Sequence, residues 1–318
     1  MRRSTIGIGL LFLLGAALVL WGMYWFYRMP PQPKGVASGT IAESDLVSSG
    51  TLENGIPSID TPAFETVAAA DQYLKNDGEG VSVTVGRTHR FYPYQILVWH
   101  EIVNDTFGDE AVAVTYDPLT GTAIAFRRTV DGHAHSFETS GLLWNDNLVM
   151  KDRETGSLWS QLLGTTLDGA KTLDRIPATV MTWATWRQTY PSGEVLSRET
   201  GSTRDYTRDP YGNYATSPAV LFPLTHVDAR LTAKTRVFGL IVGSTVATYP
   251  FDVIAQMKEI RETVGGVPLE VAYDEDTESV SAYRLNIAGE RDEEIAVFPS
   301  YWFAISAAFP NLQLYQLP

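Results

Sequence analysis

The 318-residue sequence contains no cysteine. That single absence excludes disulfides, thiol nucleophiles, iron–sulfur ligation and thiolate zinc sites. A domain of this size does not need cross-links, because its core is large enough to carry it. Basic residues are scarce too: 24 Lys and Arg stand against 37 Asp and Glu, a formal charge of −13. A phosphate-tracking protein needs a basic surface, so no nucleic-acid partner is expected. Catalytic motifs are also missing. The chain has no G-x-S-x-G, P-loop, H-E-x-x-H or dinucleotide fingerprint.

What is present begins with a long apolar run. Between Arg3 and Arg28 lie 24 uncharged residues, STIGIGLLFLLGAALVLWGMYWFY. As a helix rising about 1.5 Å per residue, this run crosses a hydrocarbon layer of about 30 Å. Trp21, Tyr24, Trp25 and Tyr27 crowd its C-terminal end, where amphipathic rings favour the membrane interface. A cleavable signal peptide would carry a shorter apolar core, about 7–15 residues, ending in small side chains. An uncleaved signal-anchor is therefore expected. Arg2 and Arg3 precede the span, which favours a cytoplasmic N-terminus and export of the rest. The expected layout is a cytoplasmic stub and transmembrane helix over 1–28, a flexible Pro/Ser/Gly-rich tether over 29–59, and an extracytoplasmic globular domain over 60–318. Asp60-Thr61-Pro62 reads as the start of a helix running to about Leu74.

The domain carries an internal duplication. VGRTHRFYPYQIL at 85–97 matches VGSTVATYPFDVI at 242–254, an offset of 157 that continues without a gap through VTYDPLTGTAIAF (114–126) onto VAYDEDTESVSAY (271–283). Trp183 to Pro191 matches Trp302 to Pro310 at the shorter offset of 119. The repeats span about 80–200 and about 232–316. Each reads as a strand, a helix over 93–105 or its counterpart, two strands, a Trp-starting helix and a last strand. AVAVTY and TAIAF alternate in the manner of strands and are joined by a Pro/Gly turn. The fold class expected is α+β, strand-dominated, with two duplicated halves packed together behind one transmembrane helix.

Several long motifs then become recognisable in order: WHEIVNDTFG, AVTYDPLTGTAIAF, SGLLWNDNLVMKDRETGSLWSQ, TWATWRQTYPSGEVLS and the closing YWFAISAAFPNLQLY. Over residues 60–316 the chain resembles the prokaryotic domain-of-unknown-function family 3179. The resemblance implies an exported or membrane-anchored protein and no assigned activity. The family's turn usually reads TYCPLCG; here Asp117 and Thr120 replace its two cysteines. Any thiol-dependent role of relatives is therefore absent.

Candidate site residues cluster near that turn. His100 shares a helical row with Ile96, Leu97 and Val103 if 93–105 is helical, so it is expected to face inward, toward Tyr116–Thr122. Glu101 and Asn104 flank it and differ from their counterparts Lys258 and Arg261. Asp117 begins a turn in both repeats, where Asp commonly bonds its own backbone. His100, Glu101 and Asp117 together offer a donor set for a divalent metal, with Asn104 and Tyr116 beside them. His133 and His135, an H-x-H on a strand, form a weaker metal pair on one face. Trp144, Trp159, Trp183, Trp186, Trp302 and Phe303 read as core or as a carbohydrate-stacking platform.

No catalytic set is complete, so the leading expectation is a non-catalytic binding or scaffolding module with a protein or glycan partner outside the cytoplasm. A metal-dependent enzyme or metal-handling protein at the helix 93–105 and turn 116–121, and a carbohydrate-binding module, are the alternatives. The charge asymmetry around the anchor gives a direct test. A reporter fused after Pro318 is expected to work only outside the cytoplasm; activity of a reporter restricted to the cytoplasm would reverse the orientation.

Overall fold

Tight hairpins set the framework of the chain, whose computed structural model describes residues 40–317. Gly86, Gly108, Gly243 and Gly265 each occupy the first position of a two-residue hairpin loop, with φ between 57° and 61°. Glycine takes that left-handed conformation without a Cβ penalty, which is why these loops close without splaying their strands. The expected anchor lies outside the described residues, as does the first part of the tether. Among the described residues no helix is long and apolar enough to cross a membrane.

Several sheets and a few short helices result, a strand-dominated α+β architecture. One order of elements occurs twice. In the first set, strands Glu79–Val85 and Thr88–Pro93 lead into the helix Tyr94–Leu97, then into a meander of Ile102–Phe107, Glu110–Asp117 and Thr122–Arg127. Later come Ala178–Thr182, the helix Trp183–Thr189 and Glu194–Leu196. The second set runs Arg236–Val242, Thr245–Pro250, helix Phe251–Met257, Glu259–Val264, Val267–Asp274, Ser279–Leu285, Val297–Tyr301, helix Trp302–Ala308 and Gln313–Leu314. Strand pairing agrees as well: Glu194–Leu196 lies parallel to Thr88–Pro93, and Gln313–Leu314 lies parallel to Thr245–Pro250. Between its blocks the first set inserts a further sheet of Phe137–Trp144, Asn147–Asp152, Leu158–Ser160 and Thr165–Thr166.

The two sets touch. Tyr301 donates its backbone N–H to Thr120 O at 2.7 Å, and Arg236 pairs with Glu79 at 2.9 Å. A shared apolar core runs through Phe126, Trp159, Phe298, Trp302 and Ile305. Each set also has its own core, around Tyr92, Ile96 and Val114 in the first and around Tyr249, Ile254 and Val271 in the second. All six aromatics that offered a carbohydrate platform are buried here, so that reading is corrected: their area drives folding.

Three expectations about elements change. The helix over 93–105 is only Tyr94–Leu97; a turn follows, Glu101 takes φ +59°, and Ile102–Phe107 is a strand. β-Branched Ile102 and Val103 fit a pleated surface between two sheets better than a helix. The helix expected to begin at Asp60 begins instead after Thr66, whose hydroxyl accepts from Ala69 N at 3.3 Å. Phe64–Thr66 is committed to a strand beside Glu194–Leu196.

The tether is the third correction. From residue 41 onward it is packed against the domain. Ile41 and Ile59 are buried, and Leu46–Ser48 pairs with the end of Phe137–Trp144. The ladder continues past that strand, with Ser49 N to Gly141 O at 2.9 Å and Asn54 N to Thr139 O at 2.8 Å. A few apolar side chains, Ile41, Leu46, Val47 and Ile59, and these backbone bonds suffice to hold it. Gly141 permits the approach: its φ is +77°, and a Cβ there would lie 2.8 Å from Thr51 O. Gly141→Ala is expected to cost about 2–4 kcal/mol in urea unfolding, from the left-handed backbone and the overlap together. An unchanged midpoint would mean that residues 49–54 are not held against this strand.

Candidate functional site

The inserted sheet and the turn Asp117–Thr122 meet in a buried polar network. Asp117 ends its strand with an Asx turn, its Oδ1 accepting from Leu119 N at 2.9 Å. Its Oδ2 accepts from Thr120 Oγ1 at 2.9 Å, Leu148 N at 2.9 Å and Asn147 Nδ2 at 3.0 Å. Asn147 Nδ2 also lies 2.9–3.2 Å from Thr120 Oγ1, Thr122 Oγ1 and Gln161 Oε1. Gln161 donates onward to Thr115 Oγ1 at 2.9 Å. Every one of these side chains is buried. The Asx turn itself is local chemistry: Asp274 repeats it with Asp276 N and Thr277 N, on an exposed surface. Only the first turn has a sheet laid over it.

Above this network lies a cavity of about 250 Å³. Glu101, Asp117 and Tyr211 are its ionisable lining, Ser49, Thr51 and Ile56 come from the N-terminal segment, and leucines with Phe222 form most of the rest. Tyr211 donates to Glu101 Oε1 at 3.0 Å. Asp146 sits nearby in the hairpin loop Asn145–Asp146, where both residues have positive φ as a two-residue I′ loop requires. Tyr214 OH and Leu221 N donate to its Oδ2, each at 3.3 Å, and its Oδ1 is buried with no partner.

Three carboxylates thus share a buried region, and no Lys or Arg among the described residues forms an ion pair with any of them. Burial, reinforced by the Asp117 charge, pushes Glu101 up to about 8 against the bond from Tyr211. Burial pushes Asp117 up to about 6 despite the donors from Leu148, Thr120 and Leu119. Burial and the Asp117 charge raise Asp146 to about 7. In a low-dielectric site, like charges are avoided by holding protons.

His100 does not join them. It is fully buried, as expected, but it points away from the turn. Its Nδ1 lies 2.7 Å from Pro57 O and its Nε2 lies 2.7 Å from Tyr206 OH. A carbonyl only accepts, so Nδ1 carries the proton and Nε2 accepts from the tyrosine. Burial lowers the His100 pKa, keeping the ring neutral. The expected His100–Glu101–Asp117 donor set is therefore split, because Glu101 marks a sharp change of chain direction between its neighbours. Asn104 is structural in this arrangement: it donates to Asp60 Oδ1 at 2.7 Å and Phe137 O at 2.8 Å and accepts from Phe137 N at 2.9 Å. Tyr116 stacks on Tyr94 at 4.0 Å between centroids.

The H-x-H pair also separates. His133 is exposed, whereas His135 is buried and its Nδ1 lies 2.7 Å from Asp152 Oδ2. With Glu154 these form a compact group whose candidate ligand atoms fall within 4.8 Å of one another. Asp152 Oδ2 already accepts from Thr155 Oγ1, and Glu154 Oε2 accepts from Ser136 N, so protein donors occupy the group.

Tyr211, Tyr214, Asp146, Asn147 and Gln161 were not singled out by sequence. Asn145-Asp146 between two strand patterns was the available signal, since such a pair demands an I′ hairpin next to whatever the strands cover. The tyrosines lie on a long irregular segment whose path no periodicity encodes.

The sequence profile of the family described as Protein of unknown function (DUF3179) matches residues 53–311, and the chain belongs to that family. No curated protein sequence and no solved structure matches it. The positions where the TYCPLCG pattern places cysteines are Asp117 and Thr120, the bonded pair beneath the cavity.

These carboxyls bind protons more tightly folded, at about 8, 6 and 7, than unfolded, at about 4. Each therefore withdraws stability as pH rises from about 4 toward its folded value. His100 acts oppositely: its folded pKa is depressed, so its contribution is lost as pH falls below about 6.5. Glu101→Gln keeps the Tyr211 bond and removes the ionisation. It is expected to unfold with the parent at pH 4.5 and to be more stable by roughly 2–4 kcal/mol at pH 8.5. Identical pH dependence of the two melting curves would refute a buried, cation-free Glu101.

Proposed function

From that family membership and this geometry, we propose that the chain is a membrane-anchored extracytoplasmic binding module whose ligand site is the cavity over Asp117. One observation carries the reading: a largely apolar cavity of about 250 Å³ that converges on two buried carboxylates. Small-molecule sites have this character, apolar walls with a few placed polar groups of perturbed pKa. The apolar run before residue 28 supports anchoring, and the charges flanking it support export.

Binding is favoured over catalysis by the hydrogen bonds of Asp117. Its Oδ2 already accepts three donors and its Oδ1 accepts the Leu119 amide. A carboxylate so engaged is a poor nucleophile or base. Nor is a divalent-metal site favoured, because His100 faces elsewhere and leucines dominate the wall. The two sets of elements read as copies of one unit, with ligand binding confined to the copy that the inserted sheet covers.

A fragment library screened by ligand-observed NMR against the full chain tests the cavity reading. Binders are expected to compete with one another and to be lost in Leu142→Trp, which fills the cavity from a half-buried position on Phe137–Trp144, while the melting curve of that variant is retained. No binder at millimolar concentration, or binders indifferent to Leu142→Trp, would sink it.

A further inference from the structure

The two sets of elements act as an internal control on charge. Glu101 and Lys258 are counterparts, 157 residues apart, and both take a left-handed backbone at φ +59° and +63°. Both accept the same backbone bond, from Tyr116 N and from Tyr273 N, each at 2.8 Å. In the second set the Lys258 ammonium pairs with Glu275 at 2.7 Å and lies 4.8 Å from the Tyr273 ring centroid. That set supplies its own cation to the turn. In the first set an acid stands where the lysine would be, beside the buried acid of the turn, and Pro118 replaces Glu275. Two buried acids line the cavity together there, and among the described residues no Lys or Arg pairs with either.

Resting on the reading of this cavity as a ligand site, we propose that its ligand is a small organic cation: an ammonium head between Glu101 and Asp117 on an apolar body packed against Leu119, Leu143, Leu148 and Phe222. All six residues line the same cavity. Glu101 spends one oxygen on Tyr211 and has its second free of protein donors. Asp117 Oδ1 takes one side-chain-to-backbone bond, to Leu119, and a carboxylate oxygen accepts two. An ammonium has three donors and a compact charge, so it satisfies both acids at once.

A bare divalent cation fits less well. Calcium takes six to eight oxygens, whereas beyond the two acids the lining offers only the hydroxyls of Ser49, Thr51, Thr139 and Tyr211, each already bonded within the protein. Size is consistent with an organic body. An apolar cavity of about 150 Å³ holds benzene, so one of about 250 Å³ admits a body of roughly six to ten non-hydrogen atoms.

Titrating the full chain with cyclohexylamine and with its neutral analogue cyclohexanol at pH 7.5 tests the charge. Cyclohexylamine is expected to bind at least tenfold tighter, and Glu101→Gln to shrink that preference below threefold. Glu101→Lys, which imitates Lys258, is expected to abolish amine binding. Melting curves check that each variant is folded, and Glu101→Gln alone carries the test if the lysine variant is not. Equal binding of amine and alcohol, or stoichiometric calcium binding that Glu101→Gln removes while the amine fails to bind, overturns the proposal and leaves the cavity as a ligand site. Failure of both probes in the parent overturns the cavity reading with it.

Discussion

The amide of Asn147 is the interaction on which the rest of the first half depends. One NH2 group is ringed by four oxygens, from Asp117, Thr120, Thr122 and Gln161, while its own carbonyl accepts from Leu162 N at 3.0 Å. It joins three separate stretches of chain through side-chain hydrogen bonds. Buried networks of this kind stabilise only when complete, since each orphaned member costs about 1–3 kcal/mol. Completeness here fixes where the inserted sheet sits, and the sheet's position creates the cavity. The same turn in the second half, lacking such a cover, is an ordinary solvated hairpin.

That arrangement also explains why acids are tolerated in an apolar place. Glu101 holds a proton near neutral pH, so the site bears less charge than its formula suggests. Lys258 solves the equivalent problem at the surface with an ion pair, where solvent makes the pair weak and cheap to break. The contrast between the halves is therefore one of environment acting on a common backbone. Left-handed geometry at 101 and 258 belongs to the fold; the side chain placed on it is free to diverge.

Much of the architecture was legible. The AVAVTY and TAIAF alternation and the Trp-led helices register in structure where their patterns predicted them, whereas the hairpins opened by Gly86 and Gly108 fall where one strand and a helix were expected. The failures have a common cause. Residues 98–105 look helical because Ile96, Leu97, His100 and Val103 fall on one helical row, yet a strand buried on both faces produces the same density of apolar residues. His100 was correctly expected to be buried, and its partners were misplaced because they come from Pro57 and Tyr206, far away in sequence. Residues 41–59 are held by backbone bonds and by a few widely spaced apolar residues, Ile41, Leu46, Val47 and Ile59, too sparse to give a periodic pattern. The cavity was half legible: Glu101 and Asp117 were named, while Tyr211 and Asp146 enter from a loop and a hairpin tip whose positions only the tertiary fold determines.

The entry of the chain into the domain has a mechanical meaning. Ile41 is tied to Leu167 O, Leu46–Ser48 is a sheet edge, and Ser49, Thr51 and Ile56 then form one wall of the cavity. A pull applied at residue 40 loads these strand bonds before it reaches Ile59, so the cavity wall, as the first part of the domain along the chain, takes the strain before the rest does.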